Sequence, residues 1–281
     1  MPLYATSMAT GPITIIGLGA VGSGLSRALC AAGCRQLTLV SRGRAGEQRL
    51  SKALKVRHLR KTKQLQQEHG VIILAVKEGQ LALLAEELAR LPLPWPKLAV
   101  LHTAGSIGAE VLQPLASLGA GIAAWHPYQT FPRRAQTVTL AGVTFGTDGN
   151  RKGILAANKL TRLLGGKPLK VSGEDRVLYH LSAVLACGFV AADLHMAVDV
   201  LKRTGVPEAR ALQAVLPIAR ETLSQVAALG PAAAQTGPAV RGDKATIQKH
   251  LRALRDTDPE LMKVYKAVID YIIASQTHRT R

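Results

Sequence analysis

The feature that most constrains this chain is a glycine pattern near its amino terminus. Residues 13–29 read ITIIGLGAVGSGLSRAL, in which an apolar run precedes glycines at the spacing G-x-G-x-x-G and a helical pattern follows. A strand, a tight turn without β-carbons and a helix N-terminus are together what a dinucleotide pyrophosphate needs. The pattern predicts a dinucleotide-binding βαβ unit, the alternative being a glycine-rich turn of another α/β protein. The residues expected around the pyrophosphate are Gly17, Leu18, Gly19, Ala20, Val21 and Gly22.

The end of the second predicted strand distinguishes between the two nicotinamide dinucleotides. Residues 36–40 (QLTLV) end at Ser41-Arg42-Gly43-Arg44, about 20 residues after the last glycine of the pattern. An NAD site usually places Asp or Glu there, whereas a guanidinium binds the 2′-phosphate of NADP. Because no acid stands at this point, the sequence favours NADP, with Ser41, Arg42 and Arg44 as contacts. The alternative is that both arginines are only solvated loop charges.

The rest of the chain alternates strands and helices and then becomes helical. Strands are predicted at 71–76, 98–101, 121–124, 142–146 and 168–171, with residues 49–67 as an exposed helical crossover. This alternation predicts an α/β fold with a doubly wound, Rossmann-type parallel sheet. Helical patterns follow Ser172, broken at Gly205 and restarted at Pro207 and Pro259. We therefore expect an NADP-binding domain over residues 11–172 and an all-helical domain over residues 173–281.

The strongly basic balance raises the question of nucleic-acid binding. The net charge of +18 divides evenly: residues 1–150 carry 16 Lys and Arg against 7 Asp and Glu, and the remainder 20 against 11. Nine basic residues and one acid lie between Arg42 and Lys63, without aromatic residues on which bases could stack. We therefore do not expect a nucleic-acid partner.

The cysteine, histidine and apolar patterns indicate in which compartment the protein is expected and whether it is expected to bind metal. Three cysteines without a C-x-x-C pair predict a reducing cytoplasm, and the amino terminus lacks the pattern of a secretory signal. The eight histidines show no ligand spacing, so no metal site is expected. The most apolar stretch, Leu181 to Val200, contains Asp193, His195 and Asp199, which are costly in a membrane. We expect it to be a buried helix of a soluble protein.

Polar residues follow several of the predicted strands. Ligands of open α/β sheets bind beyond the carboxyl ends of the strands, where these residues fall. There we expect Val76 and Thr103 to line the cofactor and His126 to meet the substrate. In the helical part, the turn of residues 236–243 (TGPAVRGD) holds Arg241, suited to clamping a carboxylate or phosphate. The alternative is a structural turn in which Asp243 caps the next helix.

These stretches together resemble a known family. The motifs are HTAGSIGAEVL (102–112), WHPYQTF (125–131), LYHLSAVLA (178–186) and TGPAVRGDKATIQKHL (236–251). With them the chain resembles Rossmann-like proteins that carry a C-terminal DUF2520 domain. These are distant relatives of the 6-phosphogluconate dehydrogenase, pyrroline-5-carboxylate reductase and ketopantoate reductase group. The resemblance spans almost the whole chain, from Ile13 to about Ile273.

The resemblance implies an activity and roles for residues. It implies NADP in the first domain, reduction of a small keto or imino acid in a cleft between the domains, and a homodimer built on the helices. On the matching motif, His180 would supply the proton, supported by Tyr179, while Arg241 would hold a substrate carboxylate. Cys187-Gly188 stands where the family commonly has Ser-Asn. That departure keeps open an alternative, a non-catalytic NADP-binding sensor or scaffold.

Overall fold

The first part of the molecule is one sheet of eight strands. The computed structural model describes residues 11–43, 45–66, 69–132 and 138–277. The strands are β1 (Ile13–Ile16), β2 (Leu37–Val40), β3 (Arg57–Leu59), β4 (Gly70–Leu74), β5 (Leu98–His102), β6 (Gly121–Pro127), β7 (Thr144–Gly149) and β8 (Lys167–Lys170). They lie in the order β3-β2-β1-β4-β5-β6-β7-β8. The predicted doubly wound sheet is confirmed.

Helices follow most strands and then take over. They are α1 (Ala20–Ala31), α2 (Ala45–Leu54), α3 (Leu81–Ala89), α4 (Gln113–Ala116), α5 (Arg151–Leu163), α6 (Arg176–Val184), α7 (Val190–Lys202), α8 (Glu208–Leu229), α9 (Lys244–Thr257) and α10 (Pro259–Thr277). A π-helical turn, Leu185–Phe189, joins α6 to α7. The helical C-terminal region and its breaks before Pro207 and Pro259 are confirmed.

The central strands are apolar because both faces of the sheet are covered. Successive side chains of a strand point to opposite faces, so alternate residues of β4 enter different cores. Ile73 packs in a cluster with Leu25 and Leu29 of α1. Its neighbour Leu74 packs with Leu88 of α3 on the other face. The continuous apolar runs in the sequence are therefore strands covered on both sides.

Two strands depart from the prediction. Within residues 49–67, predicted as a helical crossover, residues 49–54 are helical as part of α2, but residues 57–59 form β3 and residues 62–64 a short 3₁₀ turn. Lys55 adopts a positive φ of 54°, which ends the helix and lets β3 pair in parallel with β2. In addition, β7 runs antiparallel to β6. Tyr128 N donates to Thr144 O at 2.8 Å, so the chain turns back beside β6 rather than crossing over to a parallel position.

By compactness the chain divides into a first unit, Met1–Cys187, and a second unit, Gly188–Arg281. Helix α6 therefore packs with the sheet, although it opens the predicted helical domain. In the second unit the buried apolar side chains among the described residues are only Val198, Ala211, Ala239 and Ile269. Its larger apolar side chains, such as Ile218 and Leu223, are exposed.

The prediction of a buried helix over Leu181 to Val200 is wrong. The continuous helix Arg176–Lys202 has a mean hydropathy of 1.8 in its most apolar window, yet only 6% of that window is buried. Leu181, Leu185 and Phe189 are each close to half exposed. The prediction failed because the apolar composition of a helix does not show whether other residues of the same chain cover it. Among the described residues this is the one helix long and apolar enough to span a membrane by length and composition.

Candidate cofactor and active site

The three glycines of the pattern occupy three different environments. Gly17 has a positive φ of 96°, and a β-carbon added there would lie 2.5 Å from the carbonyl oxygen of Ala75. A β-carbon on Gly22 would lie 1.9 Å from the carbonyl oxygen of Gly17. At Gly19 an added β-carbon would meet nothing within 4 Å. Two glycines are thus required by the fold itself, whereas the third leaves space for a ligand.

The N-terminus of α1 faces that space without a competing group. Gly19 is the N-cap residue and offers no side chain to the first N–H groups, and the first turn contains no acidic residue. Free N–H groups and the helix dipole favour an anion at this position. Val76 lies beside the turn, with its Cγ1 2.9 Å from the β-carbon position of Gly17. Leu18 and Val21 pack partly against the core, so the turn fits a dinucleotide phosphate.

The end of β2 is held by neighbours on two sides. Ser41 Oγ lies 2.8 Å from Nε2 of His58 on β3. Gln48 of α2 donates through Nε2 to the carbonyl oxygen of Gly43 at 2.9 Å. Arg42 is exposed between them. Arg44, the other predicted contact, lies outside the described residues. We call residues 17–22 and 41–43 the glycine-turn end of the site.

The loops after β4 and β5 are tied together. Thr103 is buried, and its N–H donates to the carbonyl oxygen of Leu74 at 3.1 Å. Ser106 Oγ donates to Oε2 of Glu78 at 2.8 Å. Thr103, after β5, therefore lies next to the loop of Val76, after β4, at the same edge of the sheet.

At the end of β6, the structure brings together three of the predicted catalytic residues. His126 Nδ1 lies 3.1 Å from the hydroxyl of Tyr179, and the rings of His126 and His180 meet edge to face at 5.8 Å between centroids. A β-carbon on Gly105 would lie 2.3 Å from Cδ2 of His180 and 3.0 Å from Nε2 of His126. We call Gly105, His126, Tyr179 and His180 the imidazole end of the site.

Close packing fixes the Tyr179 ring. A β-carbon on Gly146 of β7 would lie 2.5 Å from Cζ of Tyr179, so only glycine leaves room for the ring. The Tyr128 ring lies beside it, tilted by 56°, at 5.4 Å between centroids. The hydroxyl of Tyr128 lies 3.0 Å from Oγ of Ser182, one turn further along α6. The ring is thereby held between β7 and the loop after β6.

A buried ion pair lies beneath the imidazole end. Arg176, at the start of α6, is fully buried, and its Nε donates to Oδ2 of Asp148 at 3.1 Å. Its Nη2 donates to the carbonyl oxygen of Gly146 at 3.2 Å, and its guanidinium lies 5.7 Å from the centre of the Tyr179 ring. Asp148 also accepts from Ala109 N at 2.9 Å. This pair anchors α6, and with it Tyr179 and His180, to the sheet.

Burial keeps two groups of this end, His126 and Tyr179, neutral. It lowers the pKa of His126 to about 4, with His180 and Arg176 adding to the effect. It raises the pKa of Tyr179 to about 12. At neutral pH, Tyr179 therefore keeps its proton and His126 carries no charge. The hydroxyl also lies 3.3 Å from the carbonyl oxygen of His126, to which it donates.

His102, at the end of β5, has a structural position. It is fully buried, and burial lowers its pKa to about 4. Its Nε2 lies 3.0 Å from the carbonyl oxygen of Gly108 and so must carry the proton. The imidazole holds the loop that contains Gly105.

Arg241 belongs to the second unit, whereas the groups described above belong to the first. It is exposed in the turn before α9. Asp243 accepts from Thr246 N at 3.0 Å, so the turn is an N-cap as the structural alternative proposed. That cap does not remove the guanidinium from solvent, and its role toward a carboxylate stays a prediction.

Cys187 and Gly188 lie in the π-helical turn that follows α6. Cys187 Sγ lies 2.8 Å from Oγ1 of Thr130, in the loop after β6. Such turns occur frequently at functional sites. The departure from the family pattern is therefore close in the chain to Tyr179 and His180.

Sequence reasoning missed several residues that support the site. Arg176 and Asp148 are 28 residues apart, and neither lies in a recognisable motif. His58 fell in a segment predicted as helix, so its place beside Ser41 was not visible. No local signal reveals β3, because it has only three residues and, of these, only Leu59 is apolar and buried.

Comparisons with known proteins agree with this architecture. Residues 6–127 match the family model of a Rossmann-like domain, and residues 143–272 match DUF2520, a domain of unknown function. The resemblance noted from the sequence is thus confirmed. No curated protein matches the chain.

Solved structures extend the likeness over nearly the full chain. A putative NADP oxidoreductase from Bacteroides fragilis is similar with a TM-score of 0.80 and 25% identity, covering 95% of this chain and 100% of that one. A Streptomyces aurantiacus imine reductase has a TM-score of 0.68 and 16% identity, with 93% of each chain covered. A Plasmodium falciparum pyrroline carboxylate reductase, solved with NADP bound, has a TM-score of 0.62 and 13% identity, covering 95% and 99%. The last two likenesses concern the fold alone.

Proposed function

Because the chain joins a Rossmann-like domain to a DUF2520 domain, we propose that it is an NADP-dependent oxidoreductase that reduces a small keto or imino acid. The observation that carries the proposal is one of placement. A glycine turn with free space at Gly19 follows β1, and a cluster of His126, Tyr179 and His180 lies at the end of β6. Both are therefore at the carboxyl ends of strands of one sheet. Open α/β sheets bind their ligands at that edge.

NADP would be held by backbone and basic groups of the glycine-turn end. The N-terminus of α1 would bind the pyrophosphate, and Ser41 with Arg42 would bind the 2′-phosphate. Val76 and Thr103 would line the path from there to the imidazole end. The bound cofactor would supply a hydride to the carbonyl or imine carbon.

The chain's own groups would supply the proton. As the carbon is reduced, the substrate oxygen or nitrogen takes up a proton, which we assign to His180. Tyr179 supports it, and its own proton is firmly held because its pKa is raised to about 12. Neutral His126 fixes the Tyr179 hydroxyl through Nδ1 at 3.1 Å.

The substrate carboxylate would be bound by Arg241. This assignment rests on its exposed guanidinium in a turn whose backbone is fixed by the Asp243 cap. Replacing Arg241 by Lys keeps the charge but loses the paired geometry. We expect Arg241→Lys to raise KM for the acid at least about tenfold while KM for NADPH is unchanged, which is about 1.4 kcal/mol of binding.

The protein would act as a homodimer through its helical domain. Support comes from the second unit, whose apolar side chains, including Ile218 and Leu223, are exposed in the single chain. A second copy would cover them, whereas Asp193, Asp199 and His195 disfavour insertion of α7 into lipid. Sedimentation of the detergent-free protein should give a dimer. A monomer, or a protein that requires detergent, would contradict the proposal. Three cysteines without a C-x-x-C pair fit a reducing cytoplasm.

The test of the activity is NADPH oxidation with a panel of keto and imino acids. We expect turnover of at least one member, and loss of about 10²–10⁴-fold in kcat for His180→Ala with NADPH affinity retained. Cys187-Gly188 favours a second candidate, a non-catalytic NADP-binding sensor or scaffold. NADPH binding without turnover of any acid would support the sensor, and absence of NADPH binding would exclude both.

A further inference from the structure

We propose that the edge strand β3 completes the 2′-phosphate pocket, with His58 and Arg60 as further contacts beyond Ser41 and Arg42. This inference rests on the proposed binding of NADP. It concerns two residues that neither the family models nor the glycine pattern assigns, and it makes β3 a determinant of cofactor specificity.

Strand pairing brings the two residues to the end of β2. Strand β3 is parallel to β2, with Leu39 opposite His58 and Val40 opposite Leu59. Ser41 N donates to the carbonyl oxygen of Leu59 at 3.0 Å. Parallel neighbours end at the same edge of a sheet, so Arg60 follows β3 where Ser41 follows β2.

Side-chain contacts join the two strand ends into one surface. His58 Nε2 lies 2.8 Å from Ser41 Oγ. A β-carbon on Gly43 would lie 3.3 Å from Nε of Arg60, so this guanidinium covers the turn after Arg42. Gly43 has a positive φ of 78°, which lets the turn curl beneath it. One hydroxyl, one imidazole and two guanidinium groups thus surround the same short turn.

The pocket is preorganised and carries uncompensated charge. Gln64 Oε1 accepts from the N–H groups of Arg60 and Lys61 at 3.0 Å each, which fixes the turn after β3. Within the described ranges neither Arg42 nor Arg60 forms an ion pair. A ribose phosphate needs several donors and positive charges, and guanidinium groups supply both. Free guanidinium groups around a fixed turn are the chemistry that a phosphate monoester requires.

A competing explanation is that the basic residues only protect an exposed sheet edge. Lysine and arginine on edge strands discourage pairing with other chains. That role would apply equally to Arg57, which is also exposed on β3 but lies at its opposite end, near Pro12 and Thr14. Arg57 is therefore a matched control, with the same charge on the same strand.

The experiment compares NADPH and NADH affinities of the wild-type protein, Arg60→Gln, His58→Ala and Arg57→Gln at one fixed ionic strength. Arg60→Gln should weaken NADPH binding about 10- to 100-fold, and His58→Ala about three- to tenfold, with NADH affinity changed less than about twofold. Arg57→Gln should leave both affinities within about twofold. Circular dichroism of each variant verifies that it is folded.

The outcomes separate this inference from the proposed function. A wild-type preference for NADPH that survives in Arg60→Gln and His58→Ala would overturn the pocket alone. Equal losses in Arg60→Gln and Arg57→Gln would likewise overturn it, in favour of general charge attraction. Wild-type protein that binds NADH as tightly as NADPH would contradict the NADP preference of the proposed function and the pocket with it.

Discussion

The two ends of the candidate site treat charge in opposite ways. The glycine-turn end is open, with an exposed Arg42 and free N–H groups at the start of α1. The imidazole end is enclosed, and burial keeps His126 neutral and Tyr179 protonated. The first can bind a charged ligand with little loss of solvation of its own groups, whereas the second depends on the surrounding fold for its protonation states. Substitutions at the two ends should therefore change different quantities.

The largest effect is expected from removing the anion beneath the imidazole end. Asp148→Ala leaves buried Arg176 without its partner, which should lower the free energy of unfolding by about 3–5 kcal/mol in urea denaturation. NADPH affinity of the folded fraction should stay within about twofold, since the glycine-turn end is not touched. Lys263→Ala, which breaks an exposed ion pair with Glu260, should cost about 0.5 kcal/mol or less. Equal losses in the two variants would contradict the structural role of Arg176.

Acid should destabilise the folded chain through two neutral histidines, one at the end of β5 and one at the end of β6. The pKa values of His102 and His126 are lowered from 6.5 to about 4. The unfolded chain therefore binds protons that the folded chain does not as pH falls from 6.5 to 4. Stability should be fully present above pH 6.5 and decline by up to about 3 kcal/mol per histidine over that window.

The matched variant for this prediction is His102→Gln. Glutamine can still donate to the carbonyl oxygen of Gly108 but does not titrate. Its loss of stability between pH 6.5 and 4 should be smaller than that of the wild-type protein. An identical pH dependence would rule out a contribution from His102.

At the glycine-turn end, Gly22→Ala should act on both folding and binding. Its β-carbon would overlap the carbonyl oxygen of Gly17, which forces α1 away from the turn. We expect a loss of about 1–3 kcal/mol in the free energy of unfolding, together with weaker NADPH binding. Gly46→Ala in α2, where the added atom would meet only Nη2 of Arg49 at 4.0 Å, should keep or raise stability. Gly22→Ala with wild-type stability would show that the helix is not packed as described.

A smaller and more selective effect is expected at Gly146. A β-carbon there displaces the Tyr179 ring, so kcat for the accepted acid should fall about tenfold, or about 1.4 kcal/mol in activation free energy. NADPH affinity should not change. Gly79→Ala, whose added atom meets nothing within 4 Å, is the control and should keep wild-type kcat. A Gly146→Ala variant with wild-type kcat would remove Tyr179 from the proposed chemistry.

Local sequence patterns were sufficient to predict the parts of the candidate site that lie at the ends of strands and helices. The glycine turn, the end of β2 and the residues after β5 and β6 follow from strand and helix periodicity, because each lies at the boundary of a regular element. The roles of Tyr179 and His180 were predicted from the family resemblance, because nothing in their local sequence pattern shows that α6 packs on the sheet. The ion pair of Arg176 and Asp148 depends on two elements meeting in space.

The sequence pattern misled where the burial of a helix or the pairing of a strand depends on residues outside the segment itself. The apolar run of α6 and α7 predicted burial, yet Leu181 and Phe189 are exposed in the single chain. Residues 57–59 are too few and too polar to indicate a strand, and only pairing with β2 makes them one. Both misses arise because burial and strand pairing are properties of partners rather than of the segment.

The most direct test is a titration of Gly19→Val with NADPH. A β-carbon there would meet no protein atom within 4 Å, so the free energy of unfolding should stay within about 1 kcal/mol of wild type. The valine side chain would occupy the space assigned to the pyrophosphate, so NADPH affinity should fall at least about 100-fold. A stable Gly19→Val protein that binds NADPH as tightly as wild type would contradict the placement of the cofactor at this turn.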